Sequence, residues 1–285
     1  MYIFKKFIDF YIYSSFHVAL SCFSMVKITV MMFHIANVEE LSFFAFFGTV
    51  AGYNFIKYDA SVRTKKVYFS RKLKAIVLVS FLSLLACGYF FLQLKRMTQC
   101  IALVFLGLTI LYTLPFFPNA KNARNWAGVK IYIVSLCWVG VTLVLPVIEA
   151  EIIVTEFFYW KCIQRFIFIF TLILIFEIMD LPNDDPHLHT VPQQIGIKRT
   201  KTLGYGLLLL FAIIEIFNSH IQLQDINILF IIEFLIAGII ALFLAFASSG
   251  RSKYYSTFWA ESIPVVWFIM VYLFSDNYLG PSSYL

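Results

Sequence analysis

The residues best suited to do chemistry in this chain follow one of its most apolar runs, in the segment EIMDLPNDDPHLHTVPQQIG over 177–196. Asp180 and Asp184 are four residues apart, which places two helical side chains on one face about 5–6 Å from each other. Two carboxylates that close repel unless a cation lies between them. Hard oxygen ligands without thiolates favour Mg²⁺. The pair therefore predicts a magnesium site, with a solvated acidic helix end as the alternative.

Other features of the same segment bear on that prediction. Pro182 lies between the two aspartates and Pro186 follows them, which leaves open whether a helix extends as far as Asp184. His187 and His189 are two residues apart, but a proline-rich loop with no nearby cysteine is a poor zinc site. The aspartate pattern also lacks the glycine and glutamate of a calcium-binding loop. Magnesium is the ion that the segment favours.

The elements that must position this segment are membrane helices. Apolar residues make up 61% of the 285-residue chain and charged residues 13%, whereas the outside of a soluble domain is largely polar. The lipid bilayer is the solvent that this composition predicts. We expect one all-α integral membrane domain over 1–285, with nine transmembrane helices near 10–34, 40–58, 75–94, 99–117, 129–148, 163–181, 203–219, 227–248 and 258–275.

The basic residues predict the orientation of these helices. If nine spans alternate across the membrane, seventeen of the 22 Lys and Arg residues fall on the side of the N-terminus. Basic loops stay cytoplasmic, so the N-terminus and the 177–196 segment are expected to face the cytoplasm. The net charge of +6 is then a sign of topology. We expect no nucleic-acid partner, since no soluble module could carry one.

Three segments on the predicted cytoplasmic side, at 51–66, 111–130 and 177–196, together resemble the UbiA superfamily of intramembrane prenyltransferases. The most specific part is DLPND from Asp180 to Asp184, followed by TVP and Gly196, which looks like the second Asp-rich motif of that family. LYTLP, from Leu111 to Pro115, is similar to the connection between helices 4 and 5 in the family. The resemblance covers essentially the whole chain.

The resemblance implies nine helices around a central cavity and transfer of an isoprenyl group from a prenyl diphosphate to an aromatic or other lipophilic acceptor. In the family mechanism the diphosphate leaves with Mg²⁺ assistance, and the acceptor captures the allylic carbocation. A bacterial inner membrane, with the active face cytoplasmic, is the expected location. The resemblance implies four catalytic residues, Asp180, Asp184, Asn54 and Tyr112. Of these, Asp180, Asp184 and Asn54 are the implied metal ligands. The implied diphosphate-binding residues are Lys57, Arg63, Lys121 and Arg124.

The first Asp-rich motif of the family is degenerate here. Asn54 matches it, but Phe55, Tyr58 and Val62 stand where the family has aspartates. Asp59 comes one residue late, about 140° around the helix from Asn54, and cannot replace the missing carboxylate unless the helix unwinds. Nearby cations, Lys57 and Arg63 among them, could hold phosphate directly. The sequence thus predicts one Mg²⁺ ion at the second motif and leaves a second ion open.

Two alternatives to catalysis remain at this stage. The degenerate first motif favours a catalytically inactive UbiA-like protein that binds an isoprenoid or another lipid. Ionisable residues within apolar runs, namely Lys27, Glu215 and Glu233, favour a small transporter, although no inverted repeat supports one. We expect Lys27 and Glu233 to face the interior of the helix bundle.

Overall fold

The computed structural model describes residues 2–36, 38–63, 71–113, 128–184, 189–221 and 228–275. Within these ranges the regular structure is entirely helical, with two short π-helical turns at Gly140–Val144 and Tyr255–Ala260. The α-helices are α1 (Tyr2–Tyr13), α2 (Phe16–Met32), α3 (Glu39–Arg63), α4 (Arg71–Gln93), α5 (Arg96–Thr113), α6 (Val129–Val139), α7 (Leu145–Glu149), α8 (Glu156–Asp180), α9 (Val191–Ile221), α10 (Ile228–Phe246) and α11 (Ile263–Ser275).

These helices agree with the predicted spans in order and approximate position. Among the described residues, six helical segments are long and apolar enough to cross a membrane, or seven if α1 and α2 together count as one bent span. The lipid-facing character is plain on α4, where Leu78, Leu82 and Leu85 are all more than half exposed. The chain is therefore an all-helical, multi-pass integral membrane protein. The count of nine and the cytoplasmic N-terminus stay predictions.

The first predicted span is broken. Helices α1 and α2 meet at 62°, and Ser15 at the junction has a left-handed backbone with φ of 62°. The backbone N–H and the hydroxyl of Ser14 both donate to the carbonyl of Phe10, at 2.9 and 2.7 Å. The Ser14 hydroxyl also reaches the Tyr11 carbonyl at 3.3 Å, and the Ser15 N–H donates to the Ile12 carbonyl at 3.1 Å. The last carbonyls of α1 therefore have donors where the chain turns.

Helix α8 is the central element. Of the candidate spans it is the most enclosed, and it packs against α6, α9, α10 and the 255–260 turn. Its Phe168 is fully buried and packs against Trp267 of α11, with the rings tilted by 48° and their centroids 4.9 Å apart. Helix α11 in turn packs on α2, and α2 packs on α3. The helix that carries the acidic motif is thus fixed from several sides.

A close approach of two helices requires glycine at position 140. A Cβ atom on Gly140, at the start of the first π-helical turn, would lie 2.2 Å from Cζ of Phe105 on α5. No side chain can occupy that space while the ring stays in place, so the glycine lets α5 pack directly against the backbone.

Contacts between helix ends define what we call the Asp180 end of the bundle. There Lys201 of α9 donates to the carbonyl of Ala245 on α10 at 2.7 Å. Lys253 donates to the Tyr13 hydroxyl at 2.6 Å, and the Tyr58 hydroxyl donates to the Tyr13 carbonyl at 3.0 Å. The end of α3 and the bend between α1 and α2 therefore lie at the same end as Asp180. Residue 161 lies about 28 Å from Asp180 along the axis of α8.

Candidate functional site

The two aspartates of the second motif lie on one continuous turn. The N–H groups of Asn183 and Asp184 both donate to the carbonyl of Asp180, at 2.7 and 3.0 Å. One further turn thus follows the end of α8 at Asp180, although Pro182 within it has no N–H donor. The two carboxylates interact electrostatically, as expected for side chains one turn apart.

One carboxylate oxygen in this turn is buried without a partner. Asp184 Oδ2 is shielded from solvent and has no hydrogen-bond donor among the described residues, while Asp180 is exposed. The Thr190 hydroxyl, at the start of α9, is also buried and unpaired there. A buried carboxylate oxygen without a donor is costly, and a bound cation would satisfy it. The donor set therefore fits a hard divalent ion.

Glu177 and Lys130 complete the surroundings of the turn. Glu177 is buried, and its Oε2 accepts a hydrogen bond of 3.0 Å from the backbone N–H of Val191. That bond fastens the first residue of α9 to the last turns of α8. Lys130, at the start of α6, interacts electrostatically with both Glu177 and Asp180. Acidic oxygens and one ammonium group therefore meet at the Asp180 end.

The ligand set is small. In the described ranges, no group of three or more His, Cys, Asp or Glu side chains is arranged to hold a metal ion. A site made of Asp180 and Asp184 would leave most coordination positions to water or substrate. Mg²⁺ is commonly bound in that way, by one or two carboxylates together with substrate phosphates.

Asn54, the matching residue of the first motif, is buried at the bend between α1 and α2. Its Nδ2 donates to the Ser14 carbonyl at 3.0 Å and to the Ser80 hydroxyl at 2.9 Å, and its Oδ1 accepts from Ser15 at 2.8 Å. Both amide hydrogens are used, and the residue joins α3 to α4 and to the bend. The resemblance implies a metal-ligand role for Asn54, whereas these hydrogen bonds lead us to expect a structural role instead.

The neighbouring positions of the first motif offer no carboxylate in the described part of the chain. Phe55 is half exposed, and the Tyr58 hydroxyl binds the Tyr13 carbonyl. Helix α3 runs without a break to Arg63, so the unwinding that Asp59 would need is not seen. Lys57 is exposed, with its Nζ 5.1 Å from the centroid of the Tyr13 ring. Lys57 therefore places a cation on this side of the Asp180 end.

Four predicted site residues lie wholly or partly outside the described structure. Tyr112 is within α5 and Arg63 ends α3, but their side chains are not described. Lys121 and Arg124 lie in the 114–127 segment, outside the described residues. Their predicted roles, at the reacting centre and on the diphosphate, stay predictions.

A second polar cluster lies at the opposite end of α8. Lys161 Nζ is 2.5 Å from Glu215 Oε2 on α9 and 2.8 Å from Glu233 Oε1 on α10. Gln164 Nε2 also contacts both glutamates, at 3.0 and 3.3 Å. The predicted span near 163–181 left Lys161 outside the helix; that boundary was wrong, because Lys161 is buried within α8, as is Arg165.

Two predictions about charges in the spans can be compared with the structure. Glu233 faces the bundle interior, as expected, where it is paired with Lys161. Lys27 is only partly enclosed and pairs with Glu39, which is well exposed. The ionisable residues that suggested transport are thus engaged in ion pairs.

Comparisons with known proteins give a structural likeness only. No protein-family model and no curated protein sequence matches the chain. A solved UbiA homolog from Aeropyrum pernix K1 matches with a TM-score of 0.65 at 14% identity, over 92% of this chain and 98% of the other. A UbiA homolog from Archaeoglobus fulgidus bound to GPP and Mg²⁺ matches with a TM-score of 0.58 at 12% identity, over the same shares.

A third match, from a structure concerning digeranylgeranylglyceryl phosphate synthase, has a TM-score of 0.59 at 13% identity and covers 96% of this chain and 99% of that one. All three matches extend over nearly the full length of both chains, so the likeness does not depend on a single helix pair. The chain therefore has the UbiA fold.

Proposed function

We propose that this chain is a UbiA superfamily prenyltransferase, which transfers an isoprenyl group from a prenyl diphosphate to an aromatic or other lipophilic acceptor. The observation that carries the proposal is the position of Asp180 and Asp184. They share one turn at the end of α8, in a chain that has the UbiA fold. One of the solved structures with this fold holds GPP and Mg²⁺.

In this proposal Asp180 and Asp184 bind Mg²⁺ through carboxylate oxygens. The bound ion would neutralise charge on the diphosphate as it leaves. Lys130, which already interacts with Asp180, and Lys57 on α3 are the described cations suited to hold phosphate oxygens. Arg63, Lys121 and Arg124 are proposed for the same role and Tyr112 for the border of the reacting centre, as the resemblance implies.

The residues around the proposed site would keep bulk water away from the isoprenyl group once the diphosphate has left. Apolar side chains line the body of α8 next to Glu177, and the acidic turn stands at its end. Charge stabilisation is therefore confined to the Asp180 end, and the isoprenyl chain would lie among apolar helices. Such pre-organised stabilisation of developing charge is the largest contribution to catalysis in many enzymes.

We propose that the Asp180 end faces the cytoplasm of a bacterial inner membrane.

The test is turnover of radiolabelled geranyl diphosphate by the purified chain in proteoliposomes, with a set of lipophilic acceptors. We expect Mg²⁺-dependent product formation that falls by at least about 100-fold in Asp180→Asn and Asp184→Asn. Asn183→Ala is the matched control, because Asn183 is exposed on the same turn. Undiminished turnover in both aspartate variants would exclude the metal role.

A second candidate function rests on a specific observation, the absence of acidic side chains at Phe55 and Tyr58. A chain with one metal-binding motif could bind a prenyl diphosphate or an isoprenoid lipid without turnover. It would then retain geranyl diphosphate in a filter-binding assay and release no diphosphate. Release of diphosphate by the wild type and not by Asp184→Asn would exclude this second function.

A further inference from the structure

Three lysines gather around Tyr13 at the bend between α1 and α2. The distances from Nζ to the centroid of the Tyr13 ring are 3.9 Å for Lys72, 4.8 Å for Lys253 and 5.1 Å for Lys57. The lysines come from α4, from the connection after α10 and from α3, so the fold brings them together from distant parts of the sequence. We call these four residues the Tyr13 lysine cluster.

The cluster carries more positive charge than its described neighbours neutralise. Lys57 is repelled by both Lys72 and Lys253. A tyrosine ring attracts cations to its face but cancels none of their charge. The described acids nearby are Asp9, with an oxygen 3.7 Å from Lys253 Nζ, and Glu261, which interacts with Lys57. The three ammonium groups thus exceed these two described carboxylates by one positive charge, which a phosphate group could neutralise.

The local hydrogen bonds hold the cluster in place. The Tyr13 hydroxyl accepts a hydrogen bond from Lys253, and this bond raises the pKa of the Lys253 ammonium. Asp9 accepts a hydrogen bond of 2.6 Å from the hydroxyl of Tyr254. This hydrogen bond fixes the position of the Asp9 carboxylate without cancelling its charge. Lys253 stays cationic throughout the physiological range, and its position is fixed.

The position of the cluster suits a ligand at the membrane surface. Helix α1 is bent 62° away from α2 and carries Lys5, Lys6 and Asp9 among apolar residues, a pattern typical of helices that lie in the interface. The three lysine side chains of the cluster are exposed, whereas the Tyr13 ring is partly buried. The lysine side chains are therefore accessible to a phosphate group from outside the bundle.

We propose that the Tyr13 lysine cluster binds the phosphate group of a membrane-associated anion. Three ammonium groups supply several rotatable N–H donors to phosphate oxygens, without the planar geometry that arginine imposes. The phosphate can come from the headgroup of an anionic phospholipid or from the diphosphate of a prenyl substrate. Only the second source rests on the proposed function.

The experiment compares binding of two probes to the full chain. In nanodiscs of phosphatidylcholine, retention of added phosphatidylglycerol is measured by native mass spectrometry. In a neutral detergent, binding of geranyl diphosphate is measured by filter assay. We expect Lys72→Gln and Lys253→Gln each to weaken binding about fivefold in at least one arm, since a basic residue near an anionic surface contributes that much. Lys74→Gln is the matched control, because it removes the same charge from α4 in the exposed residue two positions from Lys72.

Each outcome has one meaning. If the two glutamine variants bind phosphatidylglycerol more weakly, the cluster is a lipid headgroup site. If they bind geranyl diphosphate more weakly, it is a substrate site. Weaker binding of both probes identifies a site that accepts either phosphate. Equal weakening by Lys74→Gln, or no change in either arm, overturns the proposal. Lys72→Arg and Lys253→Arg, which keep the charge, should retain binding if folding is intact. Failure of the Asp180 and Asp184 turnover test would leave the lipid arm unaffected.

Discussion

The ammonium group of Lys161 donates a hydrogen bond of 2.8 Å to a carboxylate oxygen of Glu233, and both side chains are buried. Lys161 is in α8 and Glu233 in α10, so the bond joins two helices that are separated in the sequence by α9. Charged groups inside a membrane bundle are costly unless they are paired. The pair therefore makes the mutual position of these helices specific.

Replacing Lys161 should destabilise the chain strongly. Lys161→Met leaves the carboxylates of Glu215 and Glu233 buried without their cation, which costs about 3–5 kcal/mol in comparable pairs. The measurement is denaturant unfolding in detergent micelles. Lys95→Met is the control, since Lys95 forms an exposed pair with Glu151 that is worth at most about 1 kcal/mol. Equal stability of the two variants would contradict the assigned role of Lys161.

A methyl group at position 140 should disturb the contact between α5 and the first π-helical turn. Gly140→Ala directs its Cβ into the ring of Phe105, and overpacking of this kind costs about 1–3 kcal/mol. Gly107→Ala on α5 is the control, because its Cβ meets no atom within 4 Å and alanine favours helix. Thermal unfolding should show a lower midpoint for the first variant only. Phe105→Leu should restore part of the loss.

Asn54 should be required for stability and not for magnesium binding. Asn54→Ala removes hydrogen bonds to Ser14, Ser15 and Ser80, and each buried group left unpaired costs about 1–3 kcal/mol. The expected result is a lower unfolding midpoint with an unchanged Mg²⁺ affinity in the folded protein. A weaker Mg²⁺ affinity at unchanged stability would instead support the ligand role that the family resemblance implies.

Magnesium should stabilise the folded chain through Asp184. A ligand at a hundred times its dissociation constant adds about 2.7 kcal/mol, so Mg²⁺ should raise the unfolding midpoint and a chelator should reverse the rise. Asp184→Asn and Asp180→Asn should abolish this Mg²⁺ response. Asn183→Ala should keep it, because Asn183 is exposed on the same turn. A Mg²⁺ response that survives in both aspartate variants would place the ion elsewhere.

The long helices could be predicted from the sequence because apolar runs of membrane length have few alternatives. The start of α8 could not. The predicted span began at residue 163, whereas the helix begins at Glu156 and carries Lys161 inside the bundle. A charged residue in an apolar run predicts the end of a span unless its ion-pair partners are known. The partners of Lys161, Glu215 and Glu233, lie 54 and 72 residues farther along the chain, so the sequence did not reveal them.

The spacing of Asp180 and Asp184 predicted a shared turn, and the backbone hydrogen bonds to the Asp180 carbonyl confirm that turn. The Tyr13 lysine cluster gave no comparable signal. Its lysines are separated by long stretches of sequence, and no proline or glycine at Ser14–Ser15 predicts the bend that brings Tyr13 between them. Contacts formed by a bend of this kind depend on packing, which local patterns do not encode.

The two buried cations of α8 differ in when their partners are synthesised. Arg165 donates to the Met25 carbonyl and to the hydroxyls of Thr29 and Thr142, all of which precede it in the chain. Lys161 depends on Glu215 and Glu233, which emerge from the ribosome later. Both cations lie in the first half of α8, where an unpaired charge inside the bundle is still costly. Arg165 can therefore be hydrogen-bonded as α8 enters the bilayer, and the charge of Glu233 reaches it only later. Lys161 has no such early partner among the described residues and must await α9 and α10, so the last helices complete the burial of an earlier one.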